Sequence, residues 1–235
     1  MLLHEDHDLV AVAKPAGEPV IAARGEPRSA CLQKRLETEL RRRLWVVHRI
    51  DRDASGVVLF ALNADAHREL SLSFEHRQVA KTYTAFVAGS PEPPRGRLDL
   101  PLHAARKGKT RPARPGEPGL QVAETEYATR RRWELGAERV SLVEAHPHTG
   151  RHHQIRVHLR WAGTPILFDP LYGRGLMPAA VAGAPCTRLA LHASKIDVPA
   201  PRGGGRLVVE APLPSDLADL AAWLDEHGRG EAVGV

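Results

Sequence analysis

The densest group of polar side chains set against an apolar run is His48, Arg49, Ile50, Asp51, Arg52, Asp53, Ala54, Ser55 and Gly56. A carboxylate with Arg49 and Arg52 close by in sequence is favoured in its ionised form, as a nucleophile or an electrostatic stabiliser requires. Two other chemistries compete for the same residues. Asp51, Asp53, Ser55 and Gly56 fall on the first, third, fifth and sixth positions of a calcium loop. The twelfth, which should be a bidentate glutamate, is Leu62 and a strand replaces the exit helix, so calcium is rejected. The remaining reading is a strand-entry turn in which Asp51 and Asp53 accept backbone amides and the arginines point outward.

A second group runs from Thr149 through Gly150, Arg151, His152, His153, Gln154, Ile155 and Arg156 to His158, with His146 and His148 just before it. That density of imidazoles raises metal binding. There is no His-Glu-x-x-His, however, and the five-residue step from His153 to His158 does not place both on one helical face, so no metal is expected. On a helix, Ile155 and Leu159 share one face and Gln154 and His158 another. Arg156 lies between them, placed to reach into a cleft.

The elements that must hold these groups alternate without internal repeats. Residues 8–13 (DLVAVA) read as a strand closed by the turn cluster Lys14, Pro15, Ala16 and Gly17. Residues 29–43 read as a helix with Ser29 as N-cap and a stripe of Leu32, Leu36, Leu40 and Leu44. Residues 56–62 (GVVLFAL) are a buried strand, 64–75 a helix and 81–87 a strand. Residues 103–119 are rich in Arg, Lys, Pro and Gly, lack apolar periodicity and read as a long loop whose Arg106, Lys107, Lys109, Arg111 and Arg114 could grip phosphates. Strands follow at 123–129 and 140–145, a helix at 153–162, strands near 189–198 and at 206–210, and a capped amphipathic helix at 215–227. Strands outnumber helices and are often adjacent in sequence. An α+β fold with a mixed, mainly antiparallel sheet is therefore expected rather than a doubly wound parallel one.

Composition narrows the function class. In 235 residues, 43% hydrophobic and 26% charged, no apolar run approaches the roughly 20 residues of a membrane span. The amino end turns acidic at Glu5 and Asp6, so no signal peptide is expected. Two cysteines, Cys31 and Cys186, make no disulfide framework and fit a reducing cytoplasm. The net charge of +5 favours a polyanionic partner such as nucleic acid. Of the 33 basic residues 27 are arginine, whose planar fork suits phosphates and bases, although an excess of Arg, Ala, Gly and Pro is also what a GC-rich coding sequence gives.

The segment 48–56 (HRIDRDASG) resembles the His-Arg-Leu-Asp-Arg-x-Thr-Ser-Gly motif of the RluA-type RNA pseudouridine synthases. Three further blocks agree in order and spacing: 8–17 (DLVAVAKPAG) with its opening strand and Lys-Pro-x-Gly turn, 81–89 (KTYTAFVAG) with its Lys-x-Tyr-x-Ala-x-Val-x-Gly strand, and 149–173 (TGRHHQIRVHLRWAGTPILFDPLYG) with its later helix and the block after it. The resemblance implies the pseudouridine synthase fold, a long mixed sheet flanked by helices with the active cleft across its middle. It implies a single catalytic domain over 1–235, with its core at about 8–225 and the basic loop 103–119. Because the opening strand begins at about Asp8, the small amino-terminal RNA-binding domain of many relatives is not expected.

The implied reaction breaks the uridine N-glycosidic bond, turns the base and rejoins it through carbon 5, with no net redox change, so neither metal nor cofactor is expected. By the resemblance Asp51 starts the reaction, Tyr83 stacks on the uracil and helps remove the carbon-5 proton, and Arg156 pairs with Asp51 to keep it ionised and oriented. Arg49 fills the gap left by the flipped nucleotide, offsetting part of a flipping cost of a few kcal/mol. His48, Arg52, Arg151 and Ile155 complete the expected substrate-binding set. Ala54, His152 and Phe168 depart from the pattern, where threonine, a small hydroxyl residue and glycine are usual. The expected partner is ribosomal or transfer RNA, met through splayed-out loops by residues 103–119 and Arg41 to Arg43. A cytoplasmic monomer is expected. The competing readings are a non-catalytic RNA-binding or chaperone module, against which intact Asp51, Tyr83 and Arg156 argue, and a histidine metal hydrolase.

Overall fold

The computed structural model describes residues 1–22, 25–27, 29–105 and 108–233. In chain order the elements are β1 (Leu2–Glu5), β2 (Leu9–Lys14), α1 (Leu32–Leu40), β3 (Trp45–Val46), β4 (Ser55–Ala61), α2 (Ala64–Glu75), β5 (Ala80–Ala88), β6 (Arg95–Asp99), β7 (Leu102–Ala104), β8 (Thr110–Pro112), β9 (Glu124–Leu135) and β10 (Glu138–Pro147). They continue with α3 (Gln154–Trp161), β11 (Leu191–Pro199), β12 (Arg206–Glu210), α4 (Ser215–His227) and β13 (Arg229–Ala232). The fold is α+β with mixed, mainly antiparallel strand pairing. The chain divides into two compact units, residues 1–81 with 192–212 and residues 82–191 with 213–235.

In the first unit β2 pairs with β1 and β4, β4 with β3 and β11, and β11 with β12. Every residue of β4 is buried, as its unbroken apolar run requires. Leu9 and Ala11 of β2, Val57 and Leu59 of β4, Ile196 and Val198 of β11 and Val209 of β12 form one core with Ala66 and Leu70 of α2. Asn63 caps α2 by accepting the Ala66 N–H at 2.9 Å. The β4–β11 pairing is parallel, setting Ser55 opposite His192 and Gly56 opposite Ala193. Gly56 has φ +124°, and a Cβ there would stand 2.2 Å from the Ala193 carbonyl oxygen, so the close approach admits only glycine.

The second unit is built on the β9–β10 hairpin, with β5 on β10 and β6 and β13 on β9. Ala85, Phe86 and Val87 are all fully buried, so both faces of β5 are covered. The Phe86 and Trp133 rings stack with centroids 6.1 Å apart, and the Trp133 indole donates to Asp225 of α4 at 2.6 Å. Residues 165–167 add to β5: Ala88 N–H donates to Pro165 O at 2.9 Å and Leu167 N–H to Phe86 O at 2.8 Å. Among the described residues no helix is long and apolar enough to cross a membrane.

Three local expectations need correcting. The first helix spans Leu32–Leu40 rather than 29–43, with Cys31 at its N-cap and Arg41 ending it in the left-handed region at φ 52°. Leu44 is buried because the returning chain is held by Gln33, which donates to its carbonyl at 2.8 Å, and by Glu37, which accepts its N–H at 3.0 Å; its place in a four-residue stripe is coincidental. Residues 103–119 are not a featureless loop: β7 and β8 form a ribbon rooted on buried Leu102 and Thr110. Arg111 is tied to Glu117, while Arg106 and Lys107 lie outside the described residues. The last helix has the expected bounds, but its N-cap is Pro214, which offers no capping side chain, and Asp216 supplies the carboxylate in its first turn.

Candidate active site

In the first unit the 48–56 segment is a tight turn leading into β4. Asp51 is half-buried and its carbonyl accepts the Ala54 N–H at 3.3 Å. Arg49 is exposed. Arg52 turns its guanidinium to Glu26, reaching both carboxylate oxygens at 2.6 Å, so neighbours in sequence do not share their charge in the simple way the motif suggests. The Arg52 carbonyl faces inward, accepting the Gly17 N–H at 2.8 Å and the Lys14 ammonium at 2.8 Å. Lys14 is 1% exposed and donates also to Pro15 O and Glu18 O, both at 2.7 Å. The Lys-Pro turn is thus a clamp that fixes the loop carrying Asp51.

His48 faces the interior. Its Nε2 accepts the Leu59 N–H at 2.9 Å and its ring stacks on Phe74 at 4.8 Å. Removal from water, and then the nearby Lys81 ammonium, push its pKa down to about 3, so it is a neutral acceptor. Burial likewise brings Lys81 down to about 8. Ser55 donates to His192 Nδ1 at 2.9 Å, and His192 Nε2 donates to Ala211 O at 3.2 Å, one consistent tautomer that joins β4 to β11. At the other end of β3, Arg41 is exposed, Arg42 lies 3.3 Å from Glu5 and the Arg43 guanidinium sits 4.8 Å over the Trp45 ring.

In the second unit Tyr83 is half-buried on β5, opposite Ala145 of β10. The start of α3 is organised by Gln154. Its Oε1 accepts the Thr149 hydroxyl at 2.7 Å and the Arg151 N–H at 3.0 Å, while its Nε2 donates to Glu124 O at 2.8 Å and Thr125 Oγ1 at 2.9 Å. The Thr125 hydroxyl donates to His158 Nδ1 at 3.0 Å, and His158 Nε2 donates to Leu100 O at 3.0 Å. Burial lowers the His158 pKa, so this histidine anchors α3 in neutral form. His153 takes a left-handed conformation, φ 55°, as the N-cap. Arg151 Nε donates to Val122 O at 3.0 Å and Ile155 is 6% exposed.

Arg156 is 2% exposed and makes a fork-to-fork pair with Asp169, Nε to Oδ2 and Nη2 to Oδ1 both at 2.8 Å. Asp169 Oδ1 also accepts the N–H groups of Leu171 at 2.9 Å and Tyr172 at 3.0 Å. Burial would raise the Asp169 pKa, but Arg156 and these amides outweigh it and hold the carboxyl below its usual range. The Arg156 guanidinium lies 5.1 Å over the Tyr172 ring. Asp169 and Tyr172 carried no role in the sequence reading; their signal was their place in the 165–173 block. Phe168 explains why glycine is usual at its position, since its φ is 57°.

Among the described residues one group could hold a cation by proximity, Glu124, Glu126 and His148, with ligand atoms within 4.8 Å of one another. Glu124 already pairs with Arg97 at 2.8 Å and Glu126 with His148 at 3.2 Å.

Residues 8–161 match the family described as RNA pseudouridylate synthase. The dual-specificity RNA pseudouridine synthase RluA of Escherichia coli is 35% identical over 212 residues, 90% of this chain and 92% of that one. An uncharacterized RNA pseudouridine synthase of Bacillus subtilis, YhcT, is 38% identical over 174 residues, 74% of this chain and 54% of that longer protein. Among solved structures, human RNA pseudouridylate synthase domain containing 4 superposes with a TM-score of 0.76 at 27% identity, covering 95% of this chain and 92% of that one.

Proposed function

Because the chain belongs to the RNA pseudouridylate synthase family, we propose that it isomerises specific uridines in ribosomal or transfer RNA, with Asp51 starting the reaction on a flipped-out nucleotide. The class is isomerase: the N1–C1′ bond breaks, a C5–C1′ bond forms, the C5 proton leaves and N1 takes one up, so atoms and electrons balance within the nucleotide. A merely RNA-binding role is not favoured. The observation that supports the site reading most is that the family match over residues 8–161 contains Asp51, Tyr83 and Arg156 together.

Each proposed role agrees with local structure. The Lys14 clamp holds the turn that carries Asp51 through the Arg52 carbonyl. Arg156, whose guanidinium is held by Asp169, is proposed to keep the carboxylate that starts the reaction ionised and oriented. Tyr83 offers a π-face for the uracil from a rigid strand. Arg49, which is exposed, is proposed to fill the gap the flipped nucleotide leaves, with His48, Arg52, Arg151 and Ile155 as the other proposed substrate-binding residues. The protein is proposed to act as a cytoplasmic monomer without metal or cofactor.

The test is tritium release from RNA labelled at carbon 5 of uridine. The wild type should release tritium and Asp51→Asn should lose at least about a thousandfold in rate while binding the same RNA within about threefold. No release by the wild type on total cellular RNA would sink the enzymatic reading. Equal release by the variant would sink the assignment of Asp51.

A further inference from the structure

We infer that Tyr172 is a positioning residue for Arg156 and that, through Thr110, it ties the orientation of that guanidinium to the β7–β8 ribbon. The inference rests on the reading that Arg156 orients the carboxylate that starts the reaction. Tyr172 meets Arg156 directly and also meets two groups that hold it, Asp169 and His153. Its ring lies beneath the guanidinium, with Cζ 5.1 Å from the centroid. Its backbone N–H donates to Asp169 Oδ1 at 3.0 Å, the same oxygen that takes Arg156 Nη2. Its hydroxyl meets His153 Nδ1 at 2.8 Å, and His153 is the cap of the helix that carries Arg156.

The ribbon enters at that same hydroxyl. Thr110 of β8 donates its N–H to the Tyr172 oxygen at 2.8 Å, so the phenol accepts from the ribbon and gives its proton to His153. A second thread runs from Thr110 Oγ1 to His152 Nδ1 at 3.0 Å, and the His152 ring stacks on His153 at 3.7 Å. Leu102 of β7 packs with Val157, the residue after Arg156, against the apolar edge of Tyr172. The ribbon lies in the basic stretch, with Lys109 beside Thr110, so RNA engaging it would bear on Arg156 through a short, well-packed path. A cation over an aromatic face keeps its attraction over a range of in-plane positions; the two hydroxyl bonds are what fix the ring, and hence the guanidinium, in one place.

The experiment compares Tyr172→Phe, Tyr172→Leu, Thr110→Pro and Arg156→Ala. Each is read by single-turnover tritium release, RNA affinity, thermal melting and the Nε–H signal of Arg156 in protein labelled with nitrogen-15 arginine, without RNA. Tyr172→Phe keeps the ring and should slow turnover about tenfold, with RNA affinity unchanged within about twofold and the Arg156 Nε–H signal shifted. Tyr172→Leu, lacking the ring too, should lose about a further tenfold. Thr110→Pro removes both the N–H given to Tyr172 and the hydroxyl at His152 Nδ1 and should slow turnover at least as much as Tyr172→Phe with the tyrosine intact, which keeps the question open to decision if Tyr172 variants melt early. Wild-type rates in Tyr172→Phe and Thr110→Pro, or weaker RNA binding at an unchanged rate, overturn the inference. Arg156→Ala separates the two levels: wild-type activity there removes the underlying reading, whereas an inactive Arg156→Ala beside a fully active Tyr172→Phe removes only the inference.

Discussion

Arg156 and Asp169 face each other across two parallel 2.8 Å hydrogen bonds with both side chains almost wholly shielded from water, 2% and 1% exposed. Such a pair contributes little against an apolar alternative, but losing one partner strands the other charge, at a cost of about 3–5 kcal/mol. Asp169→Ala should therefore lower the melting temperature by about 10 °C and abolish measurable turnover. Asp169→Glu, which keeps the charge but misplaces the fork, should fall in between. A variant that melts like the wild type would show that the guanidinium finds another anion or water, and the pair would then not be what holds Arg156.

Gly56→Ala tests the parallel joint between β4 and β11. A Cβ would lie 2.2 Å from the Ala193 carbonyl oxygen and 2.5 Å from its nitrogen, and a φ of +124° is open only to glycine. The joint cannot yield without breaking the Ser55–His192 bond beside it, so a loss of more than about 3 kcal/mol in urea unfolding is expected. A loss below about 1 kcal/mol would mean that the strands separate more easily than this packing implies.

Which features were legible in the sequence follows from how local their causes are. β4 and α2 were readable because an apolar run and a 3.6-residue stripe are written within one element, and α2 matched to the residue. The stripe from Leu32 to Leu44 misled because burial of Leu44 comes from Gln33 and Glu37 folding the chain back, a tertiary cause that mimics helical spacing. The β7–β8 ribbon hid in a charged, proline-rich stretch because its stability comes from Leu102 and from Tyr172, the latter 62 positions from Thr110. The same holds for the site. Asp51, Tyr83 and Arg156 stand out through the motifs around them, whereas the clamp of Lys14 on Arg52 and the pairing of Asp169 with Arg156 join separate segments and are written in neither one alone.

Lys14→Met removes a buried ammonium that donates to three carbonyls, those of Pro15, Glu18 and Arg52. Methionine fills similar volume, so the loss isolates the hydrogen bonds, of which the charged kind contribute about 1.5–3 kcal/mol each. Because one of the three lies on the loop that carries Asp51, turnover should fall more than stability alone explains: at a temperature where the variant is fully folded, release of tritium should still drop at least about tenfold. Unchanged turnover in the folded variant would reduce Lys14 to a packing residue.

Half-buried His48 and buried His158 should set the pH range over which the fold weakens. His48 sits at about 3 in the folded chain against an ordinary 6.5, and His158 is shifted the same way, both chiefly by burial. Each is therefore neutral when folded and takes up a proton only on unfolding, so the unfolded state binds more protons below about pH 6.5 and stability falls as pH falls. The carboxylates held low, Asp169 and Asp216 among them, add their own loss only below about pH 4, which leaves the interval above it to the histidines. Between about pH 6.5 and pH 5 the loss should be on the order of 1–2 kcal/mol, read from urea midpoints. His48→Gln keeps an acceptor for the Leu59 N–H but cannot titrate; it should be somewhat less stable at neutral pH and should lose less on acidification. If the variant and the wild type weaken in parallel over that interval, His48 is not buried as a neutral acceptor and the acid sensitivity must come from elsewhere in the chain.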